Sequence, residues 1–123
     1  MKNSTLLVFI ENKLIFASEK KWLYPLIDLH QFLNENDIAR NHLLVEDKVV
    51  GRASALILVY LGIHQVKANI LSKLGRDILD RFNVRYKYEH LVDQISCTTE
   101  MLLKSETDPQ TAFNLILDRV NKK

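Results

Sequence analysis

The segment VVGRASALILVYL, residues 49–61, constrains this chain more than any other part of it. Read as a helix, it presents apolar residues on nearly every side, and such a helix has to be covered by other elements rather than laid on a surface. Gly62 supplies its stop, since helices commonly end in a left-handed residue that glycine adopts without strain. The fold must therefore wrap a buried helix, and the flanking segments show how. Residues 65–71 read as a strand. Ser72 is placed to cap a helix over residues 73–82, with Leu74, Ile78, Leu79 and Phe82 on one face. Asn83 ends that helix, and residues 84–88 form a further strand. Strand–helix–strand units of this kind predict a mixed sheet with helices on both of its faces, a three-layer α-β-α sandwich.

The rest of the chain fits the same α/β class. Residues 5–10 and 14–18 are two apolar runs, rich in β-branched and aromatic residues, around Glu11-Asn12. They predict a hairpin covered on both faces. Residues 24–36 change period: Leu26, Leu29, His30 and Leu33 make one helical stripe, with Pro25 tolerated in the first turn. Ser96 is placed to cap a short helical turn carrying Cys97 and Glu100. Asp108-Pro109 is a cap followed by proline at the first helical position, starting a last helix that runs to about Asn121 with Ala112, Phe113, Ile116, Leu117 and Val120 inward. The predicted order is β-β-α-α-β-α-β-α-α. No repeat, low-complexity stretch or linker interrupts it, so residues 1–123 are expected to form a single domain, long enough to bury one core without staples.

Charge and cysteine content narrow the function classes. Seventeen basic and fifteen acidic residues leave a formal net charge of +2, and no basic block forms the footprint of a nucleic-acid binder. Lys13, Lys20 and Lys21 read as a solvated face. The one cysteine, Cys97, cannot form an internal disulfide, which fits a reducing compartment. The apolar run at residues 6–10 is too short for a signal-peptide core. The longest apolar stretch, residues 53–63, is broken by Ser54 and Gly62 and is too short to cross a bilayer. A cytoplasmic protein without membrane or nucleic-acid partners is expected, and no cofactor motif is present.

The run Asp47-Lys48-Val49-Val50-Gly51-Arg52-Ala53-Ser54-Ala55, with the following Gly62, strand and Ser72 helix, resembles an uncharacterised bacterial family of unknown function whose members have a cytidine-deaminase-like fold. The resemblance covers residues 5–120. It departs from the family in three places. Only Met1 to Ser4 precede the first strand, where members often have a helix. Ser54 stands where members often have alanine. Val92-Asp93-Gln94-Ile95 leads straight into Ser96-Cys97-Thr98-Thr99-Glu100, so Cys97 and Glu100 match the family pattern while its proline and preceding loop do not.

Zinc deaminases need a His or Cys ligand and a proton-carrying Glu at one helix start, and two Cys at the next. In the alignment that the resemblance implies, those places read Val50-Gly51-Arg52-Ala53 and Ser72-Lys73-Leu74-Gly75. Neither holds a thiol, an imidazole or a carboxylate, so neither a metal nor hydrolytic deamination is expected. His30, His42, His64 and His90 are scattered, with no pair at helical spacing.

Ligand binding is a separate question. The turn before the buried helix offers free backbone N–H groups suited to phosphate. Gly51 would let a ligand approach closely, Arg52 and Lys48 would add positive charge, and Asp47 would accept hydroxyls. Ser72 starts a second helix toward the same pocket, and Ser54 lies one turn into the first. Each also has a purely structural reading: Asp47 and Ser72 as caps, Gly51 and Ser54 as packing residues, Arg52 as solvated. Three functions stay open. One is a non-catalytic module for a nucleotide-like or ADP-ribose-like small molecule, held by Asp47, Lys48, Gly51, Arg52, Ser54 and Ser72. Another is an enzyme using Asp47 as acid/base or Cys97, with Glu100 nearby, as nucleophile. The third is an interaction protein that assembles, with copies of itself or others, through the Tyr86/Tyr88 face.

Overall fold

A computed structural model describes residues 3–121; the remaining ends of the expected 1–123 domain lie outside the described residues. Leu6–Ile10 (β1) and Lys13–Ser18 (β2) pair antiparallel around Glu11 and Asn12, whose φ values of 49° and 68° are both left-handed. This is the two-residue turn whose twist matches the strands it joins. The helix Tyr24–Glu35 (α1) follows, with Pro25 in its first turn and Leu26, Leu29 and Leu33 buried.

The main departure from the sequence reading comes next. Leu43–Val50 is a strand (β3), and the buried helix starts only at Arg52 (α2, Arg52–Tyr60). Asp47 is therefore a mid-strand residue, not a helix cap, and Val49 and Val50 are strand residues, not helical ones. The strand was hidden by its sequence, LLVEDKVV, because charged residues rarely interrupt a central strand. Here they alternate: Val45 faces the core, while Glu46 and Lys48 face the other way. Four residues of α2, Ala55 to Leu58, are fully buried. Each of its large apolar side chains contributes about 1.5–3 kcal/mol on burial. Gly62, at φ 82°, ends the helix as expected.

Gln65–Ser72 (β4), Lys73–Arg81 (α3) and Arg85–Val92 (β5) complete the alternating part, with Asn83 left-handed at φ 59° after α3. Thr98–Leu102 (α4) is capped at Cys97, one residue later than the predicted Ser96. In the last helix, Pro109–Asn121 (α5), the Asp108 carboxylate accepts from the Thr111 N–H at 3.1 Å, the predicted cap. The five strands are ordered β2-β1-β3-β4-β5. β1 runs antiparallel to both neighbours, and β3, β4 and β5 run parallel. The architecture is a mixed five-stranded sheet with five helices.

Register and contacts show which face the helices cover. Val8, Val45, Val66 and Tyr86 lie in line across four strands on one face. On that face Phe32 of α1 meets Phe16 of β2 with ring centroids 5.1 Å apart, and Asp80 of α3 accepts from the Tyr86 hydroxyl at 2.6 Å. α5 packs on α2, its Phe113 stacked on Tyr60 at 4.4 Å. On the other face Leu7, Phe9, Leu44 and Glu46 are half-buried, and Lys67, Asn69, Lys87 and Glu89 are exposed. The hairpin is thus covered on one face, not on both, and the helical cover that the sequence predicts for the second face is not found among the described residues. Among those residues no helix is long and apolar enough to cross a membrane.

Candidate functional site

Where the starts of α1 and α2 approach each other, they flank a half-open cavity of about 270 Å³. Its floor is buried: Leu23, Pro25 and Leu26 from the start of α1, Gly51, Ala53 and Ser54 from the start of α2, and Thr99 and Glu100 from α4. Asp47 stands in the wall at the carboxyl half of β3, and Ile95 and Cys97 of the segment before α4 line the cavity as well. Lys20, Lys21, Trp22, Lys48 and Val49, all exposed, form the mouth. Cavities beside the carboxyl ends of parallel strands are the usual ligand position in open α/β sheets.

Six of the eight sequence candidates meet here: Asp47, Lys48, Gly51, Ser54, Cys97 and Glu100. Arg52 and Ser72 do not line the cavity. The Arg52 side chain is buried, turned toward α3 and the α4–α5 connection. Its guanidinium donates to the carbonyls of Leu74 (2.9 Å) and Glu106 (2.7 and 3.0 Å) and pairs with Asp77 at 2.8 Å. It ties three segments together where the sequence reading had it solvated or on an anion. Ser72 is fully buried, and its hydroxyl accepts from the Gly75 N–H at 2.9 Å, the cap that the sequence predicted.

Gly51 and Glu100 explain each other. The Glu100 carboxylate, 1% exposed, accepts from the Arg52 N–H at 2.5 Å and from the Ile95 N–H at 3.1 Å. A Cβ on Gly51 would stand 2.7 Å from that carboxylate and 2.5 Å from the Ile95 side chain. The close approach that glycine was expected to grant a ligand is taken by a side chain of the protein itself. The free N–H expected at the start of α2 is capped by a residue 48 positions away. Gly75 packs as tightly: its missing Cβ would lie 2.8 Å from the Gly51 carbonyl oxygen. The starts of α2 and α3 are therefore in backbone contact and leave no room between them.

Asp47 is half-buried, and burial pushes its carboxyl up to about 7, although the backbone N–H groups of Val49 and Lys48 pull it back down. A carboxyl in that range can accept or donate a hydrogen bond near neutral pH. Cys97 Sγ lies 2.9 Å from Thr99 Oγ1, and no histidine lines the cavity to serve as its base. Trp22 stands two residues before α1. It is 42% exposed at the mouth, with φ 59° and its ring edge-on to Tyr24 at 5.4 Å. A left-handed backbone under a bulky side chain is strained, and such strain clusters at functional positions. In the sequence the only sign was a lone Trp directly before a helix start.

The residues present do not fit a deaminase zinc. The two helix starts that share the cavity read Leu23-Tyr24-Pro25-Leu26 and Gly51-Arg52-Ala53-Ser54, and neither supplies a thiol, imidazole or carboxylate. Glu100 is taken up by two backbone N–H groups. No three His, Cys, Asp or Glu side chains among the described residues are placed to hold a metal ion.

Fold and cavity together define an α/β domain with a small pocket at two helix starts. Its family is known: the chain belongs to the TM1506 family, a domain of unknown function (DUF1893), whose model matches residues 1–120. It is similar in structure to a DUF1893 family protein (TM1506) from Thermotoga maritima, with a TM-score of 0.86 and 22% identity, over 96% of this chain and 82% of that one. At that identity the likeness establishes the fold. None of the curated proteins matches the chain.

Proposed function

We propose that this chain is a non-catalytic binding module for a nucleotide-like small molecule, ADP-ribose included, on a zinc-less fold of the cytidine-deaminase-like kind. The observation that carries the reading is the cavity itself. It has a mostly apolar buried floor, one carboxyl in the wall, and a tryptophan held at the mouth by a strained backbone. A few polar groups converging on an apolar pocket are the general mark of a small-molecule site, and an aromatic side chain at the mouth adds apolar surface against a bound ligand.

Trp22 is the sole tryptophan, so its fluorescence reports on the mouth directly. Titration with nucleosides, nucleotides and ADP-ribose is expected to change that fluorescence and to raise the melting temperature in proportion to RT ln(1 + [L]/Kd). A panel in which no member does both sinks the proposal. The enzymatic alternative keeps one argument, the position of Asp47 and Cys97 on the same cavity. Thiol profiling tests the Cys97 form of it, which fails when Cys97 reacts no faster than a free model thiol.

A further inference from the structure

We infer that the cavity takes its ligand ring first: the uncharged, hydrogen-bond-donating end lies on the floor beside Asp47, and the anionic end stays at the mouth among Lys21 and Lys48. The inference rests on the reading of the cavity as a nucleotide-like site and reverses the orientation that an open helix start would impose.

Three observations lead there. A negative charge already occupies the start of α2, because the Glu100 carboxylate is buried on the Arg52 and Ile95 N–H groups. A phosphate arriving there would meet that carboxylate and have to expel it, together with the segment it anchors. The one buried cation nearby, Arg52, faces away and is engaged by Asp77, Leu74 and Glu106. The floor itself offers apolar contact from Leu23, Leu26 and Ala53 and the hydroxyls of Ser54 and Thr99, with the Asp47 carboxyl in the wall above.

Positive charge is confined to the mouth. Lys20 is held by Asp28 at 2.7 Å, while Lys21 and Lys48 form no ion pair among the described residues. Size agrees. About 270 Å³ lies below the roughly 300–1,000 Å³ usual for ligand pockets, so the space admits a nucleoside-sized group and leaves attached phosphates outside.

The test compares the common nucleosides with their 5′-monophosphates by Trp22 fluorescence. The monophosphate is expected to bind about three- to tenfold more tightly at about 0.01 M salt, the advantage disappearing near 1 M. In the double variant Lys21→Ala/Lys48→Ala that advantage is lost while nucleoside affinity is kept. Asp47→Asn weakens nucleoside and nucleotide alike.

A monophosphate that binds no more tightly than its nucleoside overturns the inference. So does a phosphate advantage that survives both the lysine changes and high salt. A Glu100→Ala variant that gains affinity for the monophosphate and not for the nucleoside does the same, since it places the anion at α2. In each of these the cavity still binds, and only the orientation fails. Silence from every nucleoside and nucleotide removes the cavity reading along with it.

Discussion

Gly75→Ala sets two effects of opposite sign against each other. Inside a helix, alanine is favoured over glycine by about 0.8–1 kcal/mol, and Gly75 lies in the first turn of α3. By propensity alone the substitution stabilises. The structure argues otherwise. The new Cβ would lie 2.8 Å from the Gly51 carbonyl oxygen, 2.9 Å from its carbon and 3.2 Å from the Val50 oxygen. All three are backbone atoms, so no rotamer change relieves the crowding. They belong to the β3–α2 junction, which Glu100 fixes through the Arg52 N–H. Overpacking of this kind costs about 1–3 kcal/mol and more where the surroundings cannot yield. With the propensity gain of about 1 kcal/mol taken from the upper part of that range, the net expectation is a loss of about 1–2 kcal/mol, which for a domain of this size lowers the melting temperature by about 4–8 °C. Urea unfolding of wild type and variant measures it, with the slope unchanged and the midpoint reduced. A variant as stable as wild type, or more so, would mean that propensity wins and that the starts of α2 and α3 are not in backbone contact.

Other substitutions separate structural from ligand roles. Arg52→Ala strips donors from the Leu74 and Glu106 carbonyls and should cost about 3–5 kcal/mol, nearly all of it from those buried bonds, because Asp77 is half-exposed; a melting temperature within a degree or two of wild type counts against the tie. Ser72→Ala should cost about 1 kcal/mol through loss of the α3 cap and leave ligand affinity untouched, so a selective loss of binding would return Ser72 to the site. For Asp47, ionisation near 3.8 in the unfolded chain and near 7 in the fold means that the folded state holds the proton longer. Stability is then full below the lower value and declines as pH rises through the interval, by at most about 4 kcal/mol. Asp47→Asn should flatten that decline in urea midpoints taken at about pH 4 and about pH 8; an equally steep decline in the variant refutes the assignment.

Local signals were legible in the sequence and distant ones were not. The Glu11-Asn12 turn, the Ser72 cap, the Gly62 stop and the Asp108-Pro109 start each depend on residues within four positions, and each stands where it was expected. β3 was missed because its three consecutive charged residues are tolerated for tertiary reasons: Glu46 and Lys48 point to a sheet face without a helix, and Asp47 lines a cavity. Missing that strand moved the helix start back to Val49, made Asp47 a cap, and put Arg52 and Ser72 on a pocket they do not reach. The role of Glu100 was beyond any local pattern, because its partner, the Arg52 N–H, is nearly half the chain away. The sign that existed was weak: a matched Cys97 and Glu100 in a segment without its family proline.

Glu100 and Glu106 also fix an order in time. A ribosome adding about 5–20 residues per second makes α2 roughly 2–10 s before the segment that completes it. Through that interval the first turn of the most deeply buried helix must borrow water for its amide, and the Arg52 guanidinium has no carbonyl of residue 106 to grip. Final docking of this helix therefore waits for residues 100–106, and a nascent chain halted before residue 100 should hold its sheet and helices loosely, open to proteases at the very centre of the mature domain.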